Sequence, residues 1–136
     1  MKEKSDINVL YVDDEIKNLE SFKATFRRDF NVYTALSAND AETILETHDD
    51  IHVIVSDQRM PGKLGTEFLE EAVSNYPNQT GILLTAFGDD REVVEAEKKK
   101  FIYRAVEKPW NEELLKEYIE EGYDIYQKLA QRSLKK

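Results

Sequence analysis

Short apolar runs rich in β-branched residues alternate, five times along the chain, with stretches whose apolar residues recur every three or four positions. A run of that kind suits a buried strand, and spacing near 3.6 suits a helix with one face turned inward. Alternation of the two predicts a parallel sheet with helices on both faces, an α/β fold. The first run spans residues 7–12, and Ile16, Leu19, Phe22 and Phe26 follow at helical spacing. The second spans 32–36; Ser37 then offers a hydroxyl N-cap to a helix carrying Ala41, Ile44 and Leu45. The third ends at Asp57, and its helix presents Phe68, Leu69, Ala72 and Val73 before stopping near Asn75-Tyr76-Pro77. The fourth spans 81–85 and leads into a short helix whose only apolar residues are Val93, Val94 and Ala96. The fifth spans 101–106.

The last helix is predicted over 111–134. Asn111 suits its N-cap, Glu112 and Glu113 favour the positive end of the helix dipole, and Trp110 is placed to staple onto Leu115. Apolar positions continue through Leu115, Ile119, Tyr126 and Leu129, flanked by Tyr118 and Ile125. The helix is longer than one sheet face requires, which points to a linker or a dimerisation helix.

Length and composition narrow the classes. A chain of 136 residues is expected to form one domain over residues 1–136. A formal charge of -9, from 28 acidic and 19 basic residues, argues against nucleic-acid binding, which needs clustered Lys and Arg. The absence of cysteine excludes disulfides, thiolate catalysis and cysteine-ligated zinc. No apolar stretch is long enough for a signal peptide or membrane span, so a cytoplasmic protein without membrane contact is expected.

Polar residues at the strand ends change the picture. Asp13-Asp14 follows the first run, Asp57 the third, Thr85 the fourth and Lys108 the fifth. In an open α/β sheet, ligands bind beyond the carboxyl ends of the strands, where all of these would lie. Three carboxylates brought together need a cation, and hard oxygen ligands without cysteine or a usable histidine pair favour Mg²⁺. An aspartate beside Mg²⁺ and a lysine is equipped to accept a phosphoryl group as an acyl phosphate. Taken singly, each residue has a plainer reading: an N-cap for Asp13-Asp14, a turn for Asp57, a strand residue for Thr85, a solvated loop for Lys108-Pro109. Their joint occurrence in this order favours one shared site.

The combination Val12-Asp13-Asp14-Glu15, Ser56-Asp57 with Met60-Pro61 and Gly65, Leu84-Thr85-Ala86 and Lys108-Pro109-Trp110 resembles the receiver domains of two-component response regulators. The resemblance runs from about Ile7 into the last helix. It implies a doubly wound, flavodoxin-like (βα)5 fold with strand order 2-1-3-4-5. It also implies that Asp57 accepts a phosphoryl group from the phosphohistidine of a sensor kinase or histidine phosphotransfer protein, and that no separate enzymatic output resides in the chain. Asp14, Asp57 and the backbone carbonyl of Arg59 would bind Mg²⁺, with Asp13 acting through water. Thr85 and Lys108 would contact the phosphoryl oxygens, and Arg59 and Phe87 would flank the site and tune dephosphorylation.

One position departs from the family pattern. Many receivers carry a Phe or Tyr three residues before the lysine, and here that residue is Ala105. Tyr103, two residues earlier, is expected on the same strand face as a substitute. The departure keeps a second reading open, a receiver-like module that binds partners irrespective of phosphorylation. A flavodoxin-like redox protein fits poorly, because Asp13-Asp14 replaces the phosphate-cradling loop. An aspartate-nucleophile phosphatase fits poorly too, since by family resemblance it needs an Asp where Arg59 stands. His48 and His52 are not expected to form a metal pair, and Lys98-Lys99-Lys100 reads as a solvated helix end. Tyr103 and Trp110, with the fourth and fifth helices, lie where receivers commonly meet partners.

Overall fold

The computed structural model describes residues 6–86 and 90–134. Within them the chain alternates β1 (Asn8–Val12), α1 (Ile16–Phe26), β2 (Asn31–Ala35), α2 (Ala38–Thr47), β3 (Val53–Asp57), α3 (Gly65–Asn75), β4 (Thr80–Thr85), α4 (Asp90–Lys98), β5 (Arg104–Glu107) and α5 (Glu112–Leu134). All strand pairings are parallel, and the five-stranded order is β2-β1-β3-β4-β5. This is the α/β, doubly wound, flavodoxin-like topology that the sequence implied.

Strand alternation divides the core in two. Val9, Tyr11, Val53, Val55, Ile82 and Leu84 face α1 and α5, where Leu19, Phe22, Phe26, Leu115 and Ile119 close over them. Leu10, Val12, Ile54 and Leu83 face the other way, beneath Leu45, Phe68, Leu69, Val93 and Ala96 of α2, α3 and α4. Residues buried on both faces explain why the strands read as continuous apolar runs.

The caps at Ser37 and Asn111 form as expected: Ser37 Oγ accepts from the Asp40 N–H at 3.1 Å, and Asn111 Oδ1 from the Leu114 N–H at 2.9 Å. Trp110 behaves differently. It shares the Leu115 cluster, but its ring packs across onto α1, with centroids 5.6 Å from Phe26 and 6.2 Å from Phe22. Ile16, at the head of α1, lies beyond the sheet and is 55% exposed despite its helical spacing. At Gly122 α5 crosses the sheet closely: an added Cβ would stand 3.1 Å from Thr80 Cγ2, and Thr80 Oγ1 donates to the Gly122 carbonyl at 2.8 Å.

The fifth strand corrects two expectations. It starts later than residue 101: the chain leaves α4 through Lys100 at φ 63°, and contact with β4 begins at Tyr103, whose N–H donates to the Gly81 carbonyl at 2.7 Å. Tyr103 precedes the regular strand and packs in a different cluster from Ala105. Its ring packs with the α1/α5 cluster and its hydroxyl donates to Glu121, whereas Ala105, paired in register with Leu83, packs on the opposite side. Tyr103 does not stand on the Ala105 side of the sheet, as the expectation required.

Candidate functional site

The ladders continue one residue past three strand ends. The Asp13 N–H donates to the Ala35 carbonyl at 3.1 Å, the Gln58 N–H to that of Leu84 at 3.0 Å, and the Lys108 N–H to that of Thr85 at 2.8 Å. The loops after β1, β3 and β5 thus leave one sheet edge from fixed points. Period-two alternation carries Asp13 onto the face of Val9 and Tyr11, and Asp57 onto the face of Val53 and Val55.

Asp13, Asp14 and Asp57 each offer a carboxylate oxygen, and these atoms all lie within 4.8 Å of one another, the only such metal-competent group among the described residues. Asp13 is fully buried, Asp57 is 7% exposed and Asp14 is exposed. Lys108 Nζ donates to Asp57 Oδ1 at 2.5 Å, joining residues 51 positions apart. Burial pushes the Asp57 carboxyl above its ordinary range; Lys108 opposes this and the Asp13 charge adds to it.

The donor set fits Mg²⁺. Opposed oxygens on an octahedral Mg²⁺ stand about 4.2 Å apart, so a spread of up to 4.8 Å suits two direct carboxylate ligands and a third acting through water. Of the three carboxylates, Asp13 is the one most fully engaged by protein donors. Its Oδ2 accepts from the Tyr11 hydroxyl at 2.7 Å and from Asn18 Nδ2 at 3.0 Å, and its Oδ1 from the Glu15 N–H at 3.0 Å.

The remaining predicted residues are placed less closely. The Thr85 hydroxyl is directed to the Val106 carbonyl, at 3.5 Å, rather than to Asp57. The exposed Arg59 guanidinium lies 3.9 Å from Glu92 of α4, and Phe87 falls outside the described residues. The two histidines have other occupations. His52 Nδ1 accepts from the Asn8 N–H at 3.0 Å with its ring edge-on to Tyr123 and Tyr126, and His48 packs at a tilt on Tyr33.

Two residues that motif reading passed over belong to the site. Tyr11 reads as an ordinary strand residue, but lying two before Asp13 it shares that residue's face and reaches its carboxylate. Gln58 follows Asp57 and is fully buried; its Oε1 accepts from the Thr66 N–H at 2.9 Å and its carbonyl from the Gly65 N–H at 2.9 Å. It thereby anchors the start of α3 to the end of β3. A cavity of about 440 Å³ beside the acidic group is lined by Tyr11, Asn18, Lys108, Pro109 and Trp110, and the Lys108–Pro109 peptide is cis.

Comparison with known proteins agrees with this arrangement. Residues 9–120 match the family model described as the response regulator receiver domain. The hydrogenase transcriptional regulatory protein HoxA of Bradyrhizobium diazoefficiens is 30% identical over 118 residues, 87% of this chain. The chain spans only 24% of that relative's length. A crystal structure of adenylate cyclase from Rhodopirellula baltica superposes with a TM-score of 0.91 at 30% identity, covering 97% of this chain and 99% of that one. A response regulator receiver domain protein from Clostridium thermocellum gives 0.84 at 26% identity, covering 90% and 98%. With a family match over most of its length and the family's sheet order and acidic pocket, the chain belongs to the receiver domains of two-component response regulators.

Proposed function

We propose that Asp57 is the phosphoacceptor of this receiver and takes a phosphoryl group from the phosphohistidine of a sensor kinase or histidine phosphotransfer protein. The observation that carries the reading is the Lys108 ammonium on Asp57 Oδ1 at 2.5 Å, beside the Asp13 and Asp14 carboxylates. An Asp57 carboxylate oxygen attacks phosphorus, the P–N bond to the imidazole breaks, and an acyl phosphate forms on Asp57. Lys108 offsets the negative charge on the transferred group. Thr85 rotates from Val106 to donate to one phosphoryl oxygen. Asp14, Asp57 and the Arg59 carbonyl would hold Mg²⁺, with Asp13 behind a water; the bound ion supplies charge neutralisation at the phosphoryl oxygens. Arg59, which follows Asp57 by two residues, would tune the lifetime of the phosphoryl group, as the family resemblance implies.

The chain acts as one receiver domain in the cytoplasm, without an output reaction of its own, and signals to an output domain or a second copy through α5. No nucleic acid or membrane contact is assigned to it. Among the described residues no helix is long and apolar enough to cross a membrane. Incubation with Mg²⁺ and a small phosphodonor should add the mass of one phosphoryl group to the wild type and none to Asp57→Asn. Equal gain in both proteins would sink the assignment. Ala105 supports a second reading, partner binding irrespective of phosphorylation, which unaltered partner affinity in Asp57→Asn would favour.

A further inference from the structure

Asp13 is held more firmly than a loosely hydrated carboxylate at a strand end. An ionised carboxylate offers about four lone-pair positions. Three are filled by protein donors: Tyr11 and Asn18 on Oδ2, and the Glu15 N–H on Oδ1. About one acceptor position is left, on Oδ1. The donors come from the strand, the helix and the loop between them, so the carboxylate is fixed from three directions.

The Tyr11 hydroxyl is itself fixed. Its ring is 2% exposed and stacks on Phe22, with centroids 4.1 Å apart and planes 7° from parallel. Phe22 packs in turn against Phe26 and Trp110. Seated this way, the Tyr11 hydroxyl donates to Asp13 Oδ2 at 2.7 Å. Tyr11 and Asn18 also line the cavity whose far side carries Lys108 and Trp110. The two donors on Asp13 and the ammonium on Asp57 therefore border one space.

We propose that Tyr11 is a positioning residue for the metal site: seated on Phe22 and assisted by Asn18, it saturates Asp13 Oδ2 and leaves Oδ1 to receive a Mg²⁺-bound water. This deepens the Mg²⁺ reading above and rests on it. Outer hydrogen bonds of this kind orient ligands, and their loss commonly weakens metal affinity about 10- to 100-fold. A ring without the hydroxyl keeps the stack and loses only the donor. Tyr11→Phe should therefore bind Mg²⁺ more weakly with little change in fold.

The test is a Mg²⁺ titration of the full chain, read by calorimetry and by the fluorescence of Trp110, the only tryptophan. Melting in EDTA checks the fold of each variant. Tyr11→Phe should raise the Mg²⁺ Kd about tenfold, and Asn18→Ala, which removes the other donor to Oδ2, should act in the same direction. In an Asp13→Asn background, Tyr11→Phe should have no further effect on Kd, because its influence passes through that carboxylate. A folded Tyr11→Phe with wild-type Kd overturns the inference, as does an equal loss with and without Asp13. Wild-type protein that fails to bind Mg²⁺ at all would instead remove the metal reading on which it rests.

Discussion

Asp57 sits among opposing effects. Burial and the Asp13 charge favour its protonated form, the Lys108 ammonium favours its ionised form, and the first two prevail, leaving its carboxyl above the ordinary value of 3.8. A folded chain that binds this proton more readily than the unfolded chain loses stability as pH rises from 3.8 through the folded value. Above the folded value the ionised carboxylate is therefore a cost to the fold. Asp57→Asn should melt above the wild type in EDTA wherever the wild-type carboxyl is ionised. The difference should shrink as pH is lowered toward the carboxylate range; a variant that melts lower at every pH would contradict the argument. The strand-end positions of Asp13, Asp14, Asp57, Thr85 and Lys108 were legible in the sequence, because strand ends follow from periodicity. Tyr11 and Gln58 were not, since their roles depend on which neighbour a buried polar atom meets. The one available signal was that residues 11 and 13 of a strand share a face.

The junction of β3 and α3 shows how an element positions the site. The Gly65 Cα abuts the carbonyl of Asp57, and an added Cβ would stand 2.2 Å from that oxygen and 2.8 Å from Leu83 Cδ1. The oxygen is backbone at the end of a central strand, so α3 must retreat and the Gln58 bonds to Gly65 and Thr66 must stretch. Gly65→Ala should cost about 1–3 kcal/mol, as overpacking does. Gly62, at φ 84° with nothing within 4 Å of an added Cβ, bears only the conformational cost of about 1–2 kcal/mol. Urea midpoints measure both losses, and only Gly65→Ala should also weaken Mg²⁺ binding. Equal Mg²⁺ affinity in the two variants would show that this contact does not position the site. The glycine was visible in the sequence as part of a motif, but its cause, a helix start pressed on a strand carbonyl, requires the fold. Element order was legible for the same reason that β5 was misjudged at its start. Apolar character marks a buried segment, whereas the left-handed residue Lys100, which delays strand pairing, leaves no periodic trace.

At the scale of the molecule, two cores meet across one sheet and the carboxylates gather at its carboxyl edge, on a chain of net charge -9. A cation bound there meets both the local cluster and the general field, and the two respond differently to salt. Monovalent ions at about 0.1 M screen charges more than about 10 Å apart but do not replace a coordinated divalent ion. Because the carboxylates are brought together only by folding, Mg²⁺ should bind the native chain alone and stabilise it. The gain is about 2.7 kcal/mol at a hundredfold excess over Kd. Melting should therefore rise with the logarithm of Mg²⁺ concentration at constant ionic strength. Under the proposed Mg²⁺ site, Asp57→Asn loses one charge and one ligand and should show a much smaller rise. A wild-type increase reproduced by an equal ionic strength of NaCl would assign the effect to screening of the acidic surface and count against a bound ion.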